Sequence, residues 1–95
     1  MHIITRKRLM EFARIHPDAR APLNAWFSIV RNTDYTSFAD LRMTFPSADQ
    51  VDRFTVFNIG GNKFRLIAAI HYNRKKIYIR YVLTHAEYDR SAWRT

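Results

Sequence analysis

Apolar residues recur every three or four positions as far as Pro46, then switch to alternation with polar ones. The first pattern is that of helices with one buried face, the second that of strands. The short apolar run His2-Ile3-Ile4, flanked by polar residues, suits an edge strand. Thr5 is placed to cap a helix whose stripe is Leu9, Phe12, Ala13 and His16, and Pro17 ends it by pushing the preceding residue out of the α region. Asp18 can cap a second helix with Leu23, Trp26, Phe27 and Val30 inward, provided Pro22 falls in the first turn. That helix ends at Asn32-Thr33-Asp34, and Ser37 with Asp40 reads as a capping box for a third, running to Met43 or Thr44.

Beyond Pro46, strands are predicted over Phe54–Asn58, Lys63–Tyr72 and Ile77–Thr84, joined by a two-residue Gly60-Gly61 turn and by Asn73–Lys76. Glu87 to Trp93 suits a short helix or an irregular tail. Strand, helices and then an antiparallel meander make an α+β fold with helices packed on one sheet face. A turn centred on Arg74-Lys75 would pair Tyr72 with Ile77, Leu66 with Leu83 and Arg65 with Thr84. Phe64, Leu66, Ala68, Ile70, Tyr72, Ile77, Ile79, Tyr81 and Leu83 would then lie under the helices. Lys63, Arg65, Ile67, His71, Tyr78, Arg80, Val82 and Thr84 would share the opposite face. Three cations there argue for an open surface, because covering unpaired charge is costly.

The 95 residues fit one domain, 1–95, and an apolar fraction of 47% with only two glycines argues for a folded globule. With no cysteine there is no disulfide, thiolate nucleophile or cysteine zinc site. No apolar run approaches the roughly 18 residues of a membrane span, and the opening residues lack the order of a signal peptide. A cytoplasmic protein with no membrane association is expected. The net charge is +8, and the excess lies after residue 50: nine Lys or Arg stand there against three acids. A polyanion is the natural partner of such a sheet; a solvated surface is the plainer alternative.

These residue types permit RNA cleavage by attack of the 2′-OH on the adjacent phosphate. That reaction needs a base, an acid for the leaving oxygen, and cations for the charged intermediate. His85 is the first candidate for proton transfer, although a histidine ending a strand is often structural. Arg65 can grip a phosphate with two parallel hydrogen bonds, or pair with Asp52, Glu87 or Asp89. Lys63 could be a second phosphate contact or simply solvated. Arg80 and Tyr78 share the face with Arg65, Tyr78 offering a stacking surface. Tyr88 could orient RNA or pack on the sheet, and Asn58 and Asn62 have turn chemistry as their default. His2, His16, His71 and His85 have no metal-ligand spacing, so no metal or other cofactor is expected.

Two runs, Phe57-Asn58-Ile59-Gly60-Gly61-Asn62-Lys63-Phe64-Arg65-Leu66 and Thr84-His85-Ala86-Glu87-Tyr88-Asp89, together resemble the HigB branch of the RelE-like toxins. Met1-His2-Ile3-Ile4, Pro17-Asp18-Ala19, Ala21-Pro22-Leu23, Trp26 and the corner Phe45-Pro46-Ser47-Ala48 extend the resemblance over nearly the whole chain. It implies a RelE-like fold and a toxin that cuts messenger RNA, typically on the translating ribosome and without a metal. It also implies a HigA-type helix-turn-helix antitoxin, through whose complex alone operator DNA is reached. By this resemblance Arg65 and His85 match family site residues, and Lys63, Arg80 and Tyr88 match its more variable positions; with the face pattern, His85, Arg65 and Lys63 are expected to be catalytic and Arg80, Tyr88, Asn62 and Tyr78 to bind RNA, while the general base has no assigned residue. Two rivals stand beside this reading: a non-catalytic basic RNA- or ribosome-binding module, and an interaction domain for an acidic protein.

Overall fold

A computed structural model describes residues 1–90 and Trp93. Along the chain run β1 (His2–Ile4), α1 (Lys7–Ile15), α2 (Arg20–Arg31), α3 (Phe38–Thr44), β2 (Asp49–Val51), β3 (Phe54–Ile59), β4 (Phe64–His71), β5 (Lys76–Thr84) and α4 (His85–Asp89). The five strands form one sheet in the order β1-β5-β4-β3-β2. All neighbours are antiparallel except β1, which lies parallel to β5 at the edge. The expected α+β architecture is therefore present, with the N-terminal strand at the sheet edge. The three-residue β2 was not anticipated; it carries too little apolar alternation to show.

The principal core lies between the helices and one sheet face. Leu9, Phe12 and Ala13 of α1, Leu23, Trp26 and Val30 of α2 and Leu41 of α3 meet Phe57, Leu66, Ala68, Ile77 and Ile79 of the strands. Burying a large aliphatic or aromatic side chain of this kind stabilises by about 1.5–3 kcal/mol relative to leaving it in water. The helical stripes read from spacing are the ones buried, because a 3.6-residue period permits only one inward face.

The caps differ from expectation in three places. Thr5 does not cap α1: it sits at φ 73°, in the left-handed region, and only its carbonyl is used, accepting the Arg8 N–H at 3.1 Å. Asp18 does not cap α2 either. A single 3-10 turn, Pro17–Ala19, runs directly into that helix and leaves the Asp18 carboxylate free to face elsewhere. At α3 the Ser37 hydroxyl accepts the Asp40 N–H, but the Asp40 carboxylate accepts from the Thr36 N–H instead of completing the box.

Two corrections in the meander matter for the site. Ile59 pairs with Phe64, so the hairpin loop is four residues long, Gly60 to Lys63, and Lys63 lies off the strand. Gly60 and Gly61 adopt φ 64° and 69°, values that cost a side-chain-bearing residue energy. The β4–β5 register is also shifted. Ile70 pairs with Ile77 and Ala68 with Ile79, but Ile67 pairs with Tyr81 and Arg65 with Leu83. Arg80 is the unpaired extra residue of a bulge, and from there on β5 turns its side chains to the opposite faces. Tyr81 and Leu83, placed by alternation under the helices, instead join Phe54, Val56, Ile67 and Trp93 in a second cluster on the other face. Val82 takes their place in the main core. The face expected to be open is thus covered along part of its length.

Candidate active site

The end of the sheet that carries the Gly60–Lys63 loop gathers most of the chemistry. β5 runs into α4 through Thr84, whose hydroxyl accepts the Glu87 N–H at 3.2 Å while the Glu87 carboxylate accepts the Thr84 N–H at 2.9 Å. This complete capping box fixes the first turn of a helix too short to stand by itself. The Thr84 backbone N–H, foremost, holds the Glu87 carboxyl below the ordinary glutamate value, against a smaller push from burial. The Thr84 side chain, His16 and Arg90 add to the lowering. The His85 N–H then donates to the Lys63 carbonyl at 3.0 Å, tying the helix start to the hairpin loop.

His85 is the first residue of α4, not the last of a strand, so its side chain follows the helix. It is 45% exposed, and its Nδ1 lies 3.1 Å from the Asp89 carboxylate one turn on. A carboxylate in that position orients an imidazole.

Arg65 differs most from its expected setting. Only 7% of it is exposed, on a face expected to be open. Its Nη2 donates to the Asn62 side-chain oxygen at 2.6 Å and its Nη1 to the Phe64 carbonyl at 3.1 Å, while the guanidinium lies 5.5 Å from the Tyr88 ring centre. Tyr88 in turn stacks on Trp93, at 5.3 Å between ring centres. Neither Asp52, Glu87 nor Asp89 pairs with Arg65, and among the described residues every hydrogen-bond acceptor that meets it is neutral. A buried cation without a counter-ion is costly. Three neutral devices moderate that cost here: two oxygen acceptors and an aromatic face.

Asn62, Lys63, Arg65, His85 and Tyr88 are therefore brought together. Arg80 and Tyr78 are not. Arg80 stands exposed at the bulge, and Tyr78 sits opposite Ala69, against the His71 ring at 5.2 Å. Of the segment expected to run from Glu87 to Trp93 as a short helix or an irregular tail, the described part begins within α4; Ser91, Ala92 and Arg94 lie outside the described residues.

Two residues at this end were read only as helix punctuation. Asp18 reaches Lys63, with 3.6 Å between its carboxylate and Nζ. His16, which closes α1, stacks on Phe12 at 4.4 Å and tilts against Phe64 at 5.7 Å. Phe64 is the strand partner of Thr84, so His16 stands beside the start of α4. Nothing local marks either residue: each is a plausible helix boundary, and only the packing of α1 onto the sheet carries them here.

A family model described as a RelE-like toxic component of a toxin–antitoxin system, the HigB toxin, matches residues 19–91. The chain belongs to the HigB toxin family. An mRNA interferase toxin HigB of Escherichia coli is 37% identical over 92 residues, 94% of this chain and 88% of that protein. The mRNA interferase HigB of Shigella flexneri is equally similar, and one from another Escherichia coli strain is 31% identical over 95% of this chain and 90% of its own length. Membership confirms the resemblance carried by the two long runs, and a toxic component of such a system implies an antitoxin partner.

Proposed function

We propose that this toxin is an endoribonuclease that cuts messenger RNA on the translating ribosome, without a metal, by attack of the 2′-OH on the adjacent phosphate. The observation that carries the reading is Arg65: a buried guanidinium held by neutral oxygens, with no carboxylate on it among the described residues, between a lysine-bearing loop and an exposed histidine. Such a cation is incomplete without an anion, and a phosphate supplies one. Arg65 provides a preorganised positive charge at the floor of the site, and Lys63 adds an exposed one at its rim, beside Asp18. Cations aimed at developing charge are often the largest catalytic contribution, about 10²–10³ for a single donor. His85, with Asp89 behind it, transfers a proton, a role worth about 10²–10⁴. Tyr88 and Asn62 hold Arg65, and Tyr88 offers a ring to a base. Arg80 and Tyr78, away from the cluster, suit contacts with RNA further along the strand.

In this reading residues 1–95 act as one toxin domain in the cytoplasm. A HigA-type helix-turn-helix antitoxin restrains it and brings the complex to operator DNA. The test is controlled expression in a bacterial host, with primer extension on a reporter message. Growth arrest with new cuts inside translated codons, lost in His85→Ala and Arg65→Ala, is the expected outcome. Arrest without cuts would favour a non-catalytic ribosome-binding module, and full toxicity of both folded variants would remove these residues from the mechanism.

A further inference from the structure

Away from the candidate active site, α1 and α2 enclose a groove of about 410 Å³, lined by residues of those two helices and by Arg6 just ahead of α1. We propose that this groove is where an acidic amphipathic helix of the antitoxin docks; the inference rests on the chain's being the toxic component of a toxin–antitoxin system.

The shape follows from helix spacing. Leu9 and Ala13 of α1 and Leu23 of α2 reach the groove floor and belong to the main core, so the floor is apolar and fixed by packing. Arg6, Met10 and Arg14 stand four residues apart and therefore make one ridge along α1. Arg6 and Arg14 are about 12 Å apart along that ridge, at about 1.5 Å per residue. Met10, between them, is 61% exposed. Arg20 stands on the α2 wall. The Arg6 guanidinium lies 4.4 Å from the Phe27 ring centre, which holds one end of the ridge in place.

The charge is one-sided. α1 and α2 contain one acid, Glu11, and it is taken by Lys7 at 3.8 Å. Asp18, between the helices, is drawn to Lys63 at 3.6 Å. Among the described residues no carboxylate pairs with Arg6, Arg14 or Arg20. Three arginines without a local counter-ion thus surround an apolar floor with an exposed methionine on its wall. An acidic protein segment matches both features. Its carboxylates meet the arginines, and its aliphatic side chains cover Leu9, Leu23 and the adaptable Met10. A nucleic-acid backbone meets only the first, because sugar and phosphate offer no aliphatic surface to that floor. A helix laid in a groove contacts it through residues one and two turns apart. The fitting partner helix therefore carries acids about seven residues apart with a leucine-sized residue between them, and its charge steers it to this face.

Arg14 and Arg20 are exposed and stand outside the Arg65 site, so reversing them tests docking and leaves the cutting machinery alone. The antitoxin, titrated onto purified toxin, should bind Arg14→Glu/Arg20→Glu about 10²-fold more weakly than wild type. The variant's unfolding midpoint and its cutting of message when free should stay close to wild type. A photoreactive benzophenone side chain in place of Met10 should join, on illumination, to an acidic helix of the antitoxin. Replacing the acids of that helix by lysine should restore affinity for the doubly reversed toxin, which a general loss of structure would not do. Equal affinity of the antitoxin for both toxins would overturn the docking, as would a cross-link to a second copy of the toxin. Unchanged antitoxin binding with weakened binding of polyuridylate or ribosomes would give the groove to RNA instead. An antitoxin that fails to bind wild-type toxin removes the partner and this inference together; one that binds wild type and variant alike removes this inference alone.

Discussion

The two ends of the β4–β5 ribbon carry similar residues in opposite circumstances. At the far end Lys75 is exposed and pairs with Asp34 at 3.6 Å, and His71 meets Tyr78 edge to face. A lysine, a histidine and a tyrosine there form ordinary solvated surface. At the near end Arg65 is buried and meets no carboxylate among the described residues, His85 is held at a helix start, and Tyr88 is pinned by Trp93. Residue type does not separate the two ends. What separates them is Arg65: Lys63 and Lys75 each have a carboxylate at 3.6 Å, whereas the buried Arg65 meets none among the described residues.

That contrast can be broken in order of expected effect. Arg65→Ala should lower message cutting by about 10²–10³, while Lys75→Ala leaves it within about twofold; equal losses measured by primer extension would erase the distinction. A smaller effect is expected at the hairpin loop. A Cβ on Gly61 would meet no atom within 4 Å, so Gly61→Ala tests backbone strain alone, at φ 69°. It should cost about 1–2 kcal/mol in urea unfolding, and an unchanged midpoint would show the loop adapting. Thr84→Ala removes one arm of the α4 cap and should cost about 1 kcal/mol. It should also reduce cutting, since α4 carries His85 and Tyr88; a stability loss with undiminished cutting would uncouple helix from site.

Acid should weaken the same end. Glu87 has a folded-state value below its ordinary one, so its stabilisation is complete above the ordinary glutamate range and is lost as pH falls through the lowered value. Amide protection in α4, corrected for the intrinsic pH dependence of exchange, should therefore fall on acidification below that range, and Glu87→Gln should flatten the dependence. The smallest effect belongs to the far end. Lys75→Ala breaks an exposed pair and should leave unfolding nearly unchanged.

Much of this architecture was legible without coordinates, because its causes are short-ranged. Proline excludes the helix from the residue before it, which stops α1 at Ile15 with His16 as its cap. Paired glycines admit the left-handed turn between β3 and β4, and periods of 3.6 and 2 separate helices from strands. Those same signals predicted a basic sheet ending in an imidazole. The caps at Thr5 and Asp18 were misread because a 3-10 entry and a left-handed residue satisfy the same backbone groups without using those side chains.

The sequence by itself determined the α+β order, the glycine loop, the helical stripes that become the core, and the family. Only the tertiary structure decided three things that bear on the site: the Arg80 bulge that sends Tyr81 and Leu83 to the second face, the burial of Arg65 on neutral acceptors, and the arrival of His16 and Asp18 beside Lys63 and α4. Each depends on which distant residue occupies the neighbouring space. Period and propensity are local quantities, whereas strand register, burial and counter-ion choice are settled between elements when they pack.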